Sequence, residues 1–128
     1  MPARKKQILI LDPDAFLAGI YARRFESGRW GVRVAETAAE ARKLIAKKAP
    51  DAVLVDTGTL PDALAFIRAL EQDPATASIT VVALTALGDR QSVKAAMDAG
   101  AEGYLIKGHF VPTEVREKVE RLVADARA

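Results

Sequence analysis

The chain has 128 residues, the size of one ordinary domain, and half of them are apolar, so burial can build a normal core. Aromatics make up only 5%, which leaves Ala, Val, Leu and Ile to fill that core, and a net charge of +2 over 28% charged residues is a mixed surface with no basic footprint for nucleic acid. With no cysteine, disulfides, thiolate zinc sites and cysteine nucleophiles are excluded.

Residues 1–7 (MPARKKQ) are basic, and the cluster Arg4-Lys5-Lys6 is expected to be a solvated tail. The apolar run that follows, residues 8–11, is far too short for a signal peptide or a membrane span, so a cytoplasmic protein without membrane contact is expected. That run reads instead as a strand buried on both faces. Asp14 then caps a helix with Leu17, Ile20, Tyr21 and Phe25 inward. Trp30, between Gly28 and Gly31, packs ahead of a weaker strand at 32–35. Thr37-Ala-Ala-Glu40 is a capping box, and its helix runs through Leu44 and Ile45 toward Lys48.

A second buried strand is predicted at 52–55, followed by a helix capped by Asp62 with Leu64, Ile67 and Leu70 inward. A third lies at 79–84, and Asp89 caps the next helix, which runs through Val93 and Met97 and ends near Gly100. A weaker strand at 103–106 precedes a helix with Pro112 in its first turn and Val115, Val119, Leu122 and Val123 inward. Strand and helix thus alternate five times. This predicts a doubly wound α/β fold, (βα)5, a three-layer sandwich around a parallel sheet with right-handed crossovers.

In such a sheet, ligands bind beyond the carboxyl ends of the strands. Asp12-Pro13-Asp14 follows the first strand, Asp56 the third, Thr85 the fourth and Lys107 the fifth. Carboxylates, a hydroxyl and an ammonium form a set suited to phosphate and a hard cation. Each also has a plain reading: Asp56 as a loop acid, Asp12 as a turn acid, Asp14 as a helix cap, Thr85 as a turn hydroxyl, Lys107 as a surface lysine. The single histidine, His109, reads as a solvated loop residue.

In their order and separation, the segments ILILDPD (8–14), PDAVLVDTGTLP (50–61), VVALTA (81–86) and AGAEGYLIKG (99–108) resemble the receiver domain of bacterial response regulators over nearly the whole chain. The resemblance implies a flavodoxin-like fold with strand order 2-1-3-4-5 and a single receiver domain over residues 1–128, whose end leads to a further domain or frays. It implies Asp56 as phosphoacceptor and Thr85, Lys107 and Tyr104 as the phosphoryl-binding and switch residues. It implies Mg²⁺ held by Asp12, Asp56 and the backbone carbonyl of Gly58, with Asp14 as a further candidate. The expected phosphodonor is a histidine kinase or phosphotransfer protein. The expected output is a protein partner at the helix 4–strand 5–helix 5 face, in a monomer or weak homodimer with no direct nucleic-acid contact.

The chain departs from the family pattern at Pro13, where the second of two acids normally stands. Proline has no ligand atom and no N–H, so Mg²⁺ binding is expected to weaken about tenfold or more. Gly108 follows Lys107 where proline is usual, so no cis peptide is expected there. The segment after Pro61 lacks the usual glycine, so the third helix is expected to start early. Two rival readings follow: a phosphorylation-independent pseudo-receiver that serves as an interaction module, and a nucleotide- or cofactor-binding enzyme of the same sheet architecture. The second lacks a glycine-rich phosphate loop and any nucleophile–base pair, so the protein is expected not to be an enzyme.

Overall fold

The structure is a computed structural model that describes residues 4–86 and 88–126. Its strands are β1 (Gln7–Leu11), β2 (Gly31–Ala35), β3 (Ala52–Asp56), β4 (Thr80–Thr85) and β5 (Gly103–Ile106). Its helices are α1 (Ala15–Ser27), α2 (Ala38–Lys47), α3 (Ala63–Gln72), α4 (Arg90–Ala99) and α5 (Pro112–Ala126). All strand pairs are parallel, and the sheet order is β2-β1-β3-β4-β5.

The strands with continuous apolar runs take the centre of the sheet. β3 and β4 are buried along their whole length, and β1 from Ile8 onward. β2 and β5, the weaker patterns, become half-buried edges. Alternate side chains split into two cores. Ile8, Ile10, Leu54, Val82 and Leu84 meet Tyr21 and Phe25 of α1 and Val115, Val119 and Val123 of α5. Leu9, Leu11, Val53, Val55, Val81 and Ala83 meet Ile45 of α2 and Phe66, Ile67 and Leu70 of α3.

Three of the four expected caps form. Asp14 accepts from the Leu17 N–H, Thr37 from Glu40 and Asp89 from Ser92. Asp62 does not: its backbone (φ −108°, ψ 17°) lies outside the extended region that aims a capping oxygen back at the helix. α4 also differs from expectation. Ala96 and Ala99 are buried, while Met97 is 42% exposed, because small residues let this helix sit close to the sheet.

Long-range polar contacts fix the lower end of the sheet. Arg4 is not a free tail residue; its guanidinium makes two hydrogen bonds to Asp51, at 2.7 and 3.3 Å. Trp30 is buried as expected, and its indole N–H donates to Glu120 Oε2 at 3.0 Å. Arg33 of β2 donates to the carbonyls of Leu44 and Lys48, both at 2.6 Å, and so satisfies the open end of α2.

Candidate functional site

Strand register sets the site. Leu11 pairs with Val55 and Asp56 with Leu84, so β1, β3 and β4 end side by side. Thr85 pairs with Ile106, which places Lys107 just beyond the same edge. Asp12, Asp56, Thr85 and Lys107 therefore converge although they are far apart in sequence. Asp12, Asp56 and Thr85 are buried, and Lys107 is half-buried.

Lys107 Nζ lies 3.1 Å from Asp56 Oδ2 and 3.2 Å from Asp12 Oδ2, bridging the two acids. Asp56 Oδ1 accepts from the Gly58 N–H at 2.8 Å, and its Oδ2 accepts from the Thr59 hydroxyl at 2.7 Å. Asp12 Oδ1 accepts from the Asp14 N–H at 2.8 Å, which closes a turn around Pro13. A Cβ at position 58 would run into Thr85 Oγ1 and approach Asp56 Oδ1. Glycine there lets the backbone pass beneath the Thr85 hydroxyl, next to the Asp56 carboxylate. Gly108 takes φ +88°, a left-handed conformation that proline cannot adopt, and among the described residues no peptide bond is cis.

The charges shift one another in a readable way. For Asp12, burial is the largest influence and raises its carboxyl above the ordinary value, although the Asp14 N–H and Lys107 oppose it. For Asp56, burial also acts upward, but bonds from Thr59, Gly58 and Lys107 overcome it and hold the carboxyl below the ordinary value. For Lys107, burial acts downward, yet Asp56 and Asp12 win and the ammonium is strengthened. The same surroundings thus push the two acids in opposite directions, Asp56 down and Asp12 up.

Tyr104 is half-buried against the core on the α2–α4 side, and its hydroxyl meets the side chains of Thr85 and Thr57. Burial, with Asp89 nearby, raises this phenol further. Asp14 stays exposed at the helix cap, its Oδ1 3.1 Å from the Leu17 nitrogen, outside the converging set. His109 is an exposed loop residue.

Three polar neighbours were not foreseen from the sequence. Thr59 and Thr57 lie inside the segment 50–61, but nothing in a lone threonine tells a turn hydroxyl from a ligand. Tyr21 was read only as core. It is buried beneath the site, and its phenol is raised first by burial, with Asp12 and Asp56 adding to that and Lys107 opposing.

A hard-oxygen cation such as Mg²⁺ finds suitable donor chemistry in the carboxylates of Asp12 and Asp56 and the Gly58 carbonyl. The set is short of acids. Among the described residues no group of three or more His, Cys, Asp or Glu is gathered to hold a metal.

Residues 8–120 match the family model of the response regulator receiver domain. The chain is 33% identical over 125 residues to the phosphate regulon transcriptional regulatory protein PhoB of Pseudomonas aeruginosa, covering 95% of this chain and 52% of that protein. It is 32% identical over 120 residues to the DNA-binding dual master transcriptional regulator RpaA of Synechocystis, covering 92% of this chain and 48% of that protein. The chain therefore spans about half the length of these two relatives. Among solved structures, a chain assigned as a response regulator in Chloroflexus aurantiacus superposes with TM-score 0.87 at 32% identity, covering 94% of this chain and 99% of that one. A response regulator from Thermotoga maritima, at 21% identity, shares the fold with TM-score 0.86, covering 94% of this chain and 99% of that one.

Proposed function

Because the chain belongs to the response regulator receiver domain family, we propose that it takes a phosphoryl group on Asp56 and uses it to switch a partner-binding surface. The observation that carries this reading is the buried Asp56 carboxylate, 3.1 Å from Lys107, with the Thr85 hydroxyl poised over Gly58.

In the transfer, a carboxylate oxygen of Asp56 attacks phosphorus. The new P–O bond forms as the bond to the donor breaks, and the electron pair returns to the donor, the imidazole of a histidine kinase or phosphotransfer protein. Lys107 neutralises charge on the phosphoryl oxygens, and the Thr85 hydroxyl donates to one of them. The same hydroxyl also meets Tyr104, so drawing Thr85 toward the phosphoryl group changes what Tyr104 rests against. This couples Asp56 to the α4–β5–α5 face, where a downstream protein, or a second copy in a weak homodimer, is expected to bind. The two relatives of about twice this length are named as transcriptional regulators. Output through a partner, or through a further domain of a longer chain, fits their pattern.

Asp12, Asp56 and the Gly58 carbonyl would hold Mg²⁺, which offsets negative charge between carboxylate and phosphoryl oxygens. With Pro13 in place of an acid and Lys107 already bonded to both carboxylates, its affinity is expected to be low.

The test is incubation with acetyl phosphate over a wide range of Mg²⁺, read by intact mass beside Asp56→Asn. Gain of one phosphoryl group by the unsubstituted protein alone is expected. Failure at every concentration would refute the reading and leave the phosphorylation-independent interaction module, which Pro13 favours.

A further inference from the structure

A groove lies between α2 and α3, at the end of the sheet opposite Asp56. α3 packs on α4 and α1 on α5, whereas α2 makes its main contacts with the sheet, so one side of α2 faces open space toward α3. The groove has a volume of about 570 Å³. Its floor is apolar: Ile45, Phe66 and Leu70, with Ala46 and Ala69 leaving room above them. Its rim is basic, with Arg42, Lys47 and Lys48 set against the single carboxylate of Asp73. Arg42 spans the groove, its guanidinium 5.8 Å from the centre of the Phe66 ring, and so delivers positive charge directly over the apolar floor.

The helix that forms one wall has the same sign: α2 with its C-cap carries Arg42, Lys43, Lys47 and Lys48 against Glu40 alone. An anion approaching the α2 flank is therefore attracted.

We propose that the α2–α3 groove binds a small anionic amphiphile, an apolar body carrying one carboxylate, phosphate or sulfate group. The volume lies within the range of small-molecule sites, about 300–1,000 Å³. The apolar body rests on Phe66 and Leu70, and the anion meets Arg42 or the Lys47–Lys48 pair. A second copy is a poor occupant, because a two-fold interface would set the basic rim against itself. The inference does not rest on phosphorylation: the groove contains none of the groups around Asp56.

The experiment uses the full chain with 8-anilinonaphthalene-1-sulfonate as fluorescent probe, laurate as anionic competitor and dodecylammonium as a cation with a similar body. Enhanced fluorescence is expected, displaced by laurate at concentrations at least tenfold below those needed for dodecylammonium. Ala69→Trp fills the groove from an exposed helix position and is expected to weaken probe binding about tenfold or more, with circular dichroism and melting temperature unchanged. Paired Arg42→Glu and Lys47→Glu are expected to weaken it by about the same factor. Amide shifts on laurate binding are expected in α2 and α3 and to be the same in Asp56→Asn, so failure here and failure of phosphorylation are read separately. Equal displacement by both competitors, binding untouched by Ala69→Trp, or shifts elsewhere would overturn the proposal. So would ligand-free dimerisation that Ala69→Trp abolishes, since a second copy would then fill the groove.

Discussion

Replacing Lys107 with methionine keeps the length of the side chain and removes the cation bonded to both site acids. The side chains of Asp12 and Asp56 are 2% and 3% exposed, and that of Lys107 is 18% exposed. Both facing oxygens contact the same nitrogen, so they are at most about 6 Å apart, and their unscreened repulsion at an effective dielectric of 20 is about 3 kcal/mol. Loss of one partner from a buried ion pair typically costs about 3–5 kcal/mol, and the partial solvation of Lys107 puts this case at the low end, about 3 kcal/mol. For a domain of this size that lowers the melting temperature by about 10 °C at pH 7.5.

The pH dependence has a definite sign. In the unsubstituted protein Asp56 is lowered, so its contribution exists above the ordinary carboxylate value and is lost as pH falls through its folded value. Lys107 is raised, so its contribution is lost only as pH climbs through a value above 10.5. Asp12 is raised and works the other way, favouring the folded state most when protonated. Without Lys107 both carboxyls move up, so the penalty of Lys107→Met belongs to neutral pH and should shrink toward the acid end, near about pH 4. Urea unfolding at both pH values reads this. Adding Asp12→Asn to Lys107→Met removes the repulsion and should restore about 2 kcal/mol at pH 7.5. Equal stability of Lys107→Met and the unsubstituted protein at pH 7.5, or a loss that persists unchanged at low pH, would refute the electrostatic account of the site.

Pro13→Asp supplies a third carboxylate and is expected to lower the Mg²⁺ needed for half-maximal acetyl phosphate labelling about tenfold, while destabilising the metal-free protein. Thr59→Ala removes the hydroxyl 2.7 Å from Asp56 Oδ2, so the Asp56 carboxyl should titrate higher, a shift that carboxyl-carbon NMR measures directly. Glu120→Ala leaves the buried Trp30 N–H without its acceptor and is expected to cost about 1–2 kcal/mol in urea unfolding, with no change in labelling at Asp56.

The sheet was legible because its central strands are short, unbroken apolar runs between turn residues, rich in the β-branched Val and Ile. Caps were legible wherever the capping residue stands in an extended conformation. Asp62 has the right chemistry in the wrong backbone, and backbone angles are not written in residue identity. What sequence reading missed depends on partners distant in the chain. Arg4 finds Asp51 across 47 positions and Trp30 finds Glu120 across 90, so neither contact leaves a local signature. Leu64, Ile67 and Leu70 give a plausible inward face without Phe66, yet it is Phe66 that is fully buried while Leu64 only flanks the core. Tyr21 was placed correctly in the core, but its phenol senses the site only because Asp12, Asp56 and Lys107 gather beyond the end of the strand it packs against.

The segment around Pro13 decides how the site differs from a full acid cluster. The Asp14 side chain holds the first turn of α1, and its N–H holds Asp12 Oδ1. Taking the Asp14 carboxylate into the pocket would cost the first turn of α1 its cap. Pro13 has a fixed φ suited to the turn between them, so this segment is organised to aim Asp12 and not to add charge. Asp12 Oδ2 meets Lys107 at 3.2 Å. The same ammonium reaches Asp56 at 3.1 Å. A phosphoryl group on Asp56 brings its own negative oxygens and strengthens the hold of Lys107. Lys107 thus sets positive charge against both acids of the site, at 3.1 Å from Asp56 and 3.2 Å from Asp12.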